Sequence, residues 1–198
     1  MATPTALFVI DIQNDLATHP ETKIPHADRV LAAADKILAT ARTMLAASRQ
    51  PDAPPPALVV FVQHQERPDQ GPLVKDTEPW RLVYEPRPDA DEELLVSKTT
   101  GDTFESNPDL AAMLAASGVG EIVAFGVQSE CCVESTCRGA LTAGFGVTLL
   151  SGAHSTYDLG GKSAVDVERE VELRLRDCGV KVVPWQTVVA KWEGEGQF

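Results

Sequence analysis

The chain has 198 residues, enough for one full-sized core, and 43% of them are apolar, which separates it from disordered or purely solvating segments. Seventeen basic residues against 29 acidic ones leave a net charge of -12, which repels phosphate backbones and anionic lipid surfaces and so argues against nucleic-acid and membrane-surface binding. The first apolar run, Ala6 to Ile10, meets Asp11 too soon for a signal-peptide core, and no run approaches the roughly 18 residues of a membrane span, so the protein is read as a cytoplasmic single domain over residues 1–198.

In chain order, short β-branched runs alternate with stretches of helical period. The predicted strands are Ala6–Asp11, Ala57–Gln63, Glu93–Ser97, Glu121–Val127, Gly146–Ser151 and Val180–Val183. Continuous apolar strands separated by helices are the pattern of a parallel α/β sheet covered on both faces. After the first strand, Val30, Ala34, Ile37, Leu38, Ala41 and Leu45 recur at three- and four-residue steps, predicting a helix that ends near Arg49, before the loop Pro51–Pro56. Ahead of the fourth strand, Asn107 as cap, Pro108 in the first turn and Gly118 as terminator predict another. A last helix is expected from Ser163 to Gly179, with Val167, Val171, Leu175 and Cys178 on one stripe.

One segment resists regular structure. His64–Glu92 is rich in proline and charge, and such a long connection in a compact domain is usually functional or disordered. Trp80 and Tyr84 favour a loop, with a short helical turn near Trp80, that covers a pocket or meets a partner; packing of the rings on the sheet edge is the alternative.

The residues just past the strands of an open α/β sheet are its candidate ligand-binding positions. Here they include an acid, Asp11, an ammonium, Lys98, and a thiol, Cys132. Cys132 falls near a predicted helix start, where free backbone N–H groups and a neighbouring lysine stabilise a thiolate. The spacing of the four cysteines, Cys131, Cys132, Cys137 and Cys178, suggests neither a disulfide framework nor a zinc site. Cys137 and Cys178, and with them Cys131, read as buried small apolar side chains. A redox pair of Cys131 and Cys132 is disfavoured, because bridging adjacent residues demands a strained ring.

Leu7–Leu16 (LFVIDIQNDL), Val96–Phe104 (VSKTTGDTF), Gly126–Thr136 (GVQSECCVEST) and Ser151–Tyr157 (SGAHSTY) resemble the signature regions of the isochorismatase-like cysteine hydrolases. The resemblance implies a three-layer α/β/α fold with a six-stranded parallel sheet of order 3-2-1-4-5-6, and a homodimer or larger homo-oligomer. It implies a triad of Asp11, Lys98 and Cys132, a cis peptide between Val127 and Gln128, and an oxyanion site formed by the backbone N–H groups of Gln128 and Cys132. No cofactor is implied. Cys132 argues for cleavage of a C–N bond (amide, ureido or lactam) in a small molecule, rather than a vinyl ether. Metal-dependent nicotinamidases carry an Asp-x-His pair where this chain has Gln63-His64-Gln65, so no metal is expected and His64 reads as a hydrogen-bonding loop residue.

Gln13, Trp80, Phe104, Gln128 and His154 are candidates for shaping the pocket. The alternatives are core packing for Phe104, satisfaction of backbone groups for Gln13 and supporting hydrogen bonds for His154. Lys98, Arg81 and Arg87 are the few basic groups available to an anionic substrate. A binding protein without turnover and a thiol-redox protein are the readings from other classes.

Overall fold

Six parallel strands carry the architecture: β1 (Thr5–Ile10), β2 (Leu58–His64), β3 (Glu93–Lys98), β4 (Glu121–Val127), β5 (Gly146–Ser155) and β6 (Lys181–Pro184), in the order β3-β2-β1-β4-β5-β6. The computed structural model describes residues 4–47 and 58–196. The expected helix end near Arg49, the loop Pro51–Pro56 and the strand start at Ala57 lie outside them.

Because successive strand residues point to opposite faces, each apolar run feeds two cores. After the short helix α1 (Asn14–Ala17) comes the long helix α2 (Ala27–Ala47), which Leu7, Val9, Val59, Phe61, Val123 and Phe125 face, together with Val189 and Trp192 of α7 (Trp185–Glu195). Ala6, Phe8, Ile10, Val60, Val62 and Ala124 face the other way. There they meet Leu110 and Leu114 of α4 (Leu110–Ala116), Cys137 and Ala140 of α5 (Glu134–Thr142), and Val167, Val171 and Leu175 of α6 (Ala164–Asp177). Each large side chain fully buried in these layers is worth about 1.5–3 kcal/mol. Among the described residues no helix is long and apolar enough to cross a membrane.

Several local expectations need correction. Asn107 does not cap α4; it ends the short helix α3 (Thr103–Ser106), and its side-chain amide donates to Ser97 O and Thr103 O, both at 3.0 Å. Asp102 caps α3 by accepting from Phe104 N, and α4 begins after Asp109, two residues later than Pro108 suggests. Cys178 leaves the apolar stripe of α6 at its C-terminal end and is exposed, with Arg138 Nη1 donating to its sulfur at 2.8 Å. Ser163 does cap α6, its hydroxyl accepting from Asp166 N at 3.2 Å. Helix α7 has no counterpart in the sequence reading, because Pro184 and a tail of mixed polarity masked its period.

The strand β5 outlasts its expected end at Ser151. Its pairing with β4 runs to Ala124↔Leu149 and resumes at Gly126↔His154, so extra residues bulge out of β5. Gly152, in the left-handed region at φ +80°, permits the bulge. The bulge brings His154 and Ser155 alongside Gly126 and Val127, at the carboxyl end of β4.

Buried carboxylates stitch helices to this frame. Glu134, at the start of α5, is held by Arg174 at 2.6 Å and Arg138 at 2.8 Å. Glu93 takes Arg42 and Arg87 at 2.9 and 2.7 Å. Burial would raise both carboxyls, but the arginines hold them below the ordinary value. Burial likewise opposes ionisation of Glu172, yet hydrogen bonding to His154 and Ser151 brings it down to about 2.

Two outcomes are expected. A Cβ on Gly126, where φ is +134°, would stand 2.1 Å from Ile10 O, so Gly126→Ala should lose on the order of 3 kcal/mol or more in urea unfolding. Glu93, Glu134 and Glu172 are more acidic folded than unfolded, so their stabilisation is full above 4.5 and drains away as pH falls toward the folded values. Urea midpoints between pH 7 and 3 should therefore fall with pH, less steeply in Glu172→Gln; a flat profile would remove this account.

Candidate active site

Three chain segments end at the same edge of the sheet. Leaving β1, Asp11 adopts φ +49°, a left-handed conformation that aspartate tolerates better than most residues, while its N–H still donates to Val62 O at 3.0 Å. Lys98 closes β3. Cys132 sits in the turn after β4, where the Val127–Gln128 peptide is cis and Val133 N donates to Gln128 O, a wide five-residue turn of the kind often found at functional sites.

Lys98 is 1% exposed, and its ammonium is ringed by acceptors. It pairs with Asp11 Oδ2 at 2.8 Å and donates to Cys132 Sγ and Thr100 O, both at 3.0 Å. His64 Nδ1 lies 3.3 Å away and accepts, since an ammonium has only donors to give. Burial works against the lysine charge, but Asp11 and then Cys132 outweigh it and hold the ammonium above its ordinary value. For His64, burial and then Lys98 favour the neutral ring.

The acid and the thiol are both protonated more readily than usual. Burial, then the Cys132 sulfur, pushes the Asp11 carboxyl well up, against Lys98. The neighbouring Cys131, then burial, pushes the Cys132 thiol up, again against Lys98. In this arrangement Cys132 rests as a thiol beside a carboxylate with raised proton affinity and a fixed cation. Those are the parts needed to take a proton from sulfur and hold the thiolate that results.

Asp11, His64, Gln128, Cys131 and Cys132 line one cavity of about 320 Å³. Cys131 is exposed, contrary to its expected burial, with its sulfur 3.9 Å from Cys132 Sγ; hydrogen bonding from Cys132 lowers its thiol to about 7. Asp15, Glu66, Leu73 and Tyr157 are also on the wall, and none of these was singled out from sequence. Asp15 and Tyr157 fall within recognisable motifs, and Glu66 and Leu73 in the loop expected to cover a pocket, but no local pattern marks these four among their neighbours.

The other sequence candidates lie outside the cavity. Gln13 is fully buried and braces the backbone: its amide donates to His64 O at 2.9 Å and Trp80 O at 2.7 Å, and accepts from His64 N at 3.0 Å. Trp80 contributes that carbonyl, and its indole N–H is buried without a partner among the described residues. Phe104 stacks on Phe8 at 5.9 Å and beside Phe145 at 6.0 Å, in the core. His154 is buried behind the turn that carries Cys132, with Nδ1 2.8 Å from Ser129 Oγ and Nε2 3.4 Å from Glu172. Arg87 is committed to Glu93, and Arg81 does not reach the cavity wall.

Asp11, His64 and Cys132 present ligand atoms within 4.8 Å of one another, a spacing open to a metal ion. The Lys98 ammonium already fills the space between them, so a divalent ion there would have to displace a buried cation. The three do not fit a metal while Lys98 is charged.

The Isochorismatase domain model matches residues 5–184. A streptothricin hydrolase of Streptomyces noursei is 37% identical over 156 residues, 78% of this chain and 55% of that protein. The chain spans about half the length of the curated relatives it matches. An isochorismatase-like hydrolase from Alkaliphilus metalliredigens superposes with a TM-score of 0.77 at 23% identity, covering 96% of this chain and 97% of that one. The zinc complex of the pyrazinamidase of Pyrococcus horikoshii gives 0.71 at 24%, covering 91% and 98%. With a family model spanning the whole sheet, from Thr5 to Pro184, and a relative 37% identical over 78% of the chain, the chain belongs to the isochorismatase family.

Proposed function

We propose that the protein hydrolyses an amide-type C–N bond in a small molecule through a thioester on Cys132. The observation that carries this reading is the Lys98 ammonium, in contact with both Asp11 and Cys132 at the floor of the cavity. The streptothricin hydrolase relative supports hydrolysis of a small molecule, and streptothricin is one candidate substrate.

In the proposed reaction Asp11 takes the Cys132 proton while Lys98 holds the negative charge that moves to sulfur. The thiolate attacks the carbonyl carbon, and the backbone N–H groups of Gln128 and Cys132 receive the oxyanion. Asp11 then returns its proton to the departing nitrogen, the C–N bond breaks, and an acyl-Cys132 thioester is left. Water, deprotonated by Asp11, attacks that thioester and releases the acid and the thiol. The carboxylate works as base, acid and base again, a cycle suited to a group whose proton affinity is raised.

Ammonia or amine release from a panel of primary amides, ureido acids, lactams and streptothricin should disappear in Cys132→Ala at equal folded concentration. Amine release that survives this change would overturn the thioester; hydrolysis of a vinyl ether that survives it would favour the ether reaction instead. Asp11→Asn, nearly isosteric, should reduce kcat by roughly 10²- to 10⁴-fold while preserving the circular-dichroism spectrum; wild-type turnover in a folded Asp11→Asn would remove Asp11 from the mechanism.

A further inference from the structure

The wall of the cavity has one sign of charge. Besides Asp11 it carries the carboxylates of Asp15 and Glu66, and no lysine or arginine among the described residues lines it. Lys98 lies beneath the floor, 1% exposed, and its charge is spent on Asp11 and Cys132. Neither Asp15 nor Glu66 has a cationic partner among the described residues, in a chain where other buried carboxylates, Glu93, Glu134 and Glu168, are all paired with arginine.

Both wall carboxylates are held in place. Leu73 N donates to Glu66 Oε2 at 2.9 Å and Glu66 N to Leu73 O at 2.9 Å, closing a small loop on the cavity side. Thr22 Oγ1 donates to Asp15 Oδ1 at 2.9 Å, and the Tyr157 hydroxyl donates to Thr22 O, so Asp15 and the Tyr157 ring are tied to one residue. Asp11 supplies an independent sign of a ligand. It is fully buried, it borders the cavity, and apart from the Lys98 ion pair its carboxylate oxygens have no hydrogen-bond partner. Fixed carboxylates beside an aromatic ring, with no competing cation, recognise an ammonium or guanidinium group.

Resting on the hydrolase reading above, we infer that the substrate is a cationic amide, with a positively charged nitrogen close to the scissile carbonyl, bound by Glu66 and Asp15 against the Tyr157 ring. Anionic substrates are repelled by the same wall. The net charge of -12 adds long-range attraction for such a cation.

The test reads the potential at the nucleophile with charged methanethiosulfonates, and so needs no known substrate. In each case the Cys132 thiolate attacks the reagent's divalent sulfur, a disulfide to Cys132 forms, the bond to the sulfonyl sulfur breaks, and methanesulfinate leaves with the electron pair. The 198-residue Cys131→Ser protein, which keeps the reagent off the adjacent thiol, is treated with aminoethyl (cationic), methyl (neutral) and sulfonatoethyl (anionic) reagents. Labelling at Cys132 is followed by peptide mass spectrometry in 0.3 M salt, which screens the distant charges. After division by the rates of a small free thiol, the cationic reagent should react at least about tenfold faster than the anionic one, the effect of a unit charge nearby. Glu66→Gln, which keeps an acceptor for Leu73 N, should shrink that ratio several-fold.

Rapid labelling by the neutral reagent with a normalised ratio near one or below would overturn the cationic substrate and leave the hydrolase reading standing. A preference unchanged in both Glu66→Gln and Asp15→Asn would overturn the assignment to this wall. A Cys132 inert to the neutral reagent would overturn both readings together.

Discussion

A buried ammonium is the constraint on which the rest of this structure depends. An isolated charge removed from water costs several kcal/mol, and Lys98 is tolerable only because the ends of β1 and β3, the wide turn after β4 and the carbonyl of Thr100 converge on it. The left-handed turn at Asp11 and the glycine at 126 serve that convergence, since each lets one strand approach another's end more closely than ordinary backbone geometry allows. Packing sets the layers; the lysine sets the register of their edge.

The same ammonium fixes how protons are distributed. Against the one cation that touches both, burial raises the proton affinity of Asp11, and Cys131 and then burial raise that of Cys132. In the proposed reaction, moving the proton between oxygen and sulfur leaves the net charge of the cluster unchanged. A transfer that conserves charge next to a fixed cation needs little reorganisation of its surroundings, which is the condition for electrostatic catalysis in a dry site.

Much of this was legible in the amino-acid order, for identifiable reasons. Strand runs such as Leu7–Ile10 are continuous and apolar because both faces are covered, and the residue that ends each run is displayed at the sheet edge, which is how Asp11 and Lys98 announce themselves. Side chains whose environment is set by distant segments were not legible. Gln13 reads like any polar residue after a strand until the carbonyls of His64 and Trp80 arrive from the long loop. Cys131 and Cys132 are adjacent in sequence, yet one is exposed on the cavity wall and the other buried against a lysine, a distinction made by the geometry of the turn. Phe104 lies in a recognisable motif but serves the core.

The bracing by Gln13 has a consequence for how the domain can change. The long segment from His64 to Glu92 is tied to the tail of β1 through that amide, through the Asn14 amide, which donates to Glu78 Oε1 at 2.8 Å, and through backbone pairing of Ile12, Asn14 and Asp15 with Val83, Arg81 and Pro79. Between these ties, the stretch from Glu66 to Leu73 closes on itself. Loop closure becomes only slightly more costly as residues are added, so this stretch can lengthen, shorten or change its side chains with small effects on folding. The frame that holds Asp11, Lys98 and Cys132 together and the rim of the cavity above them are therefore encoded in separate residues, and selection can rewrite the second while leaving the first intact.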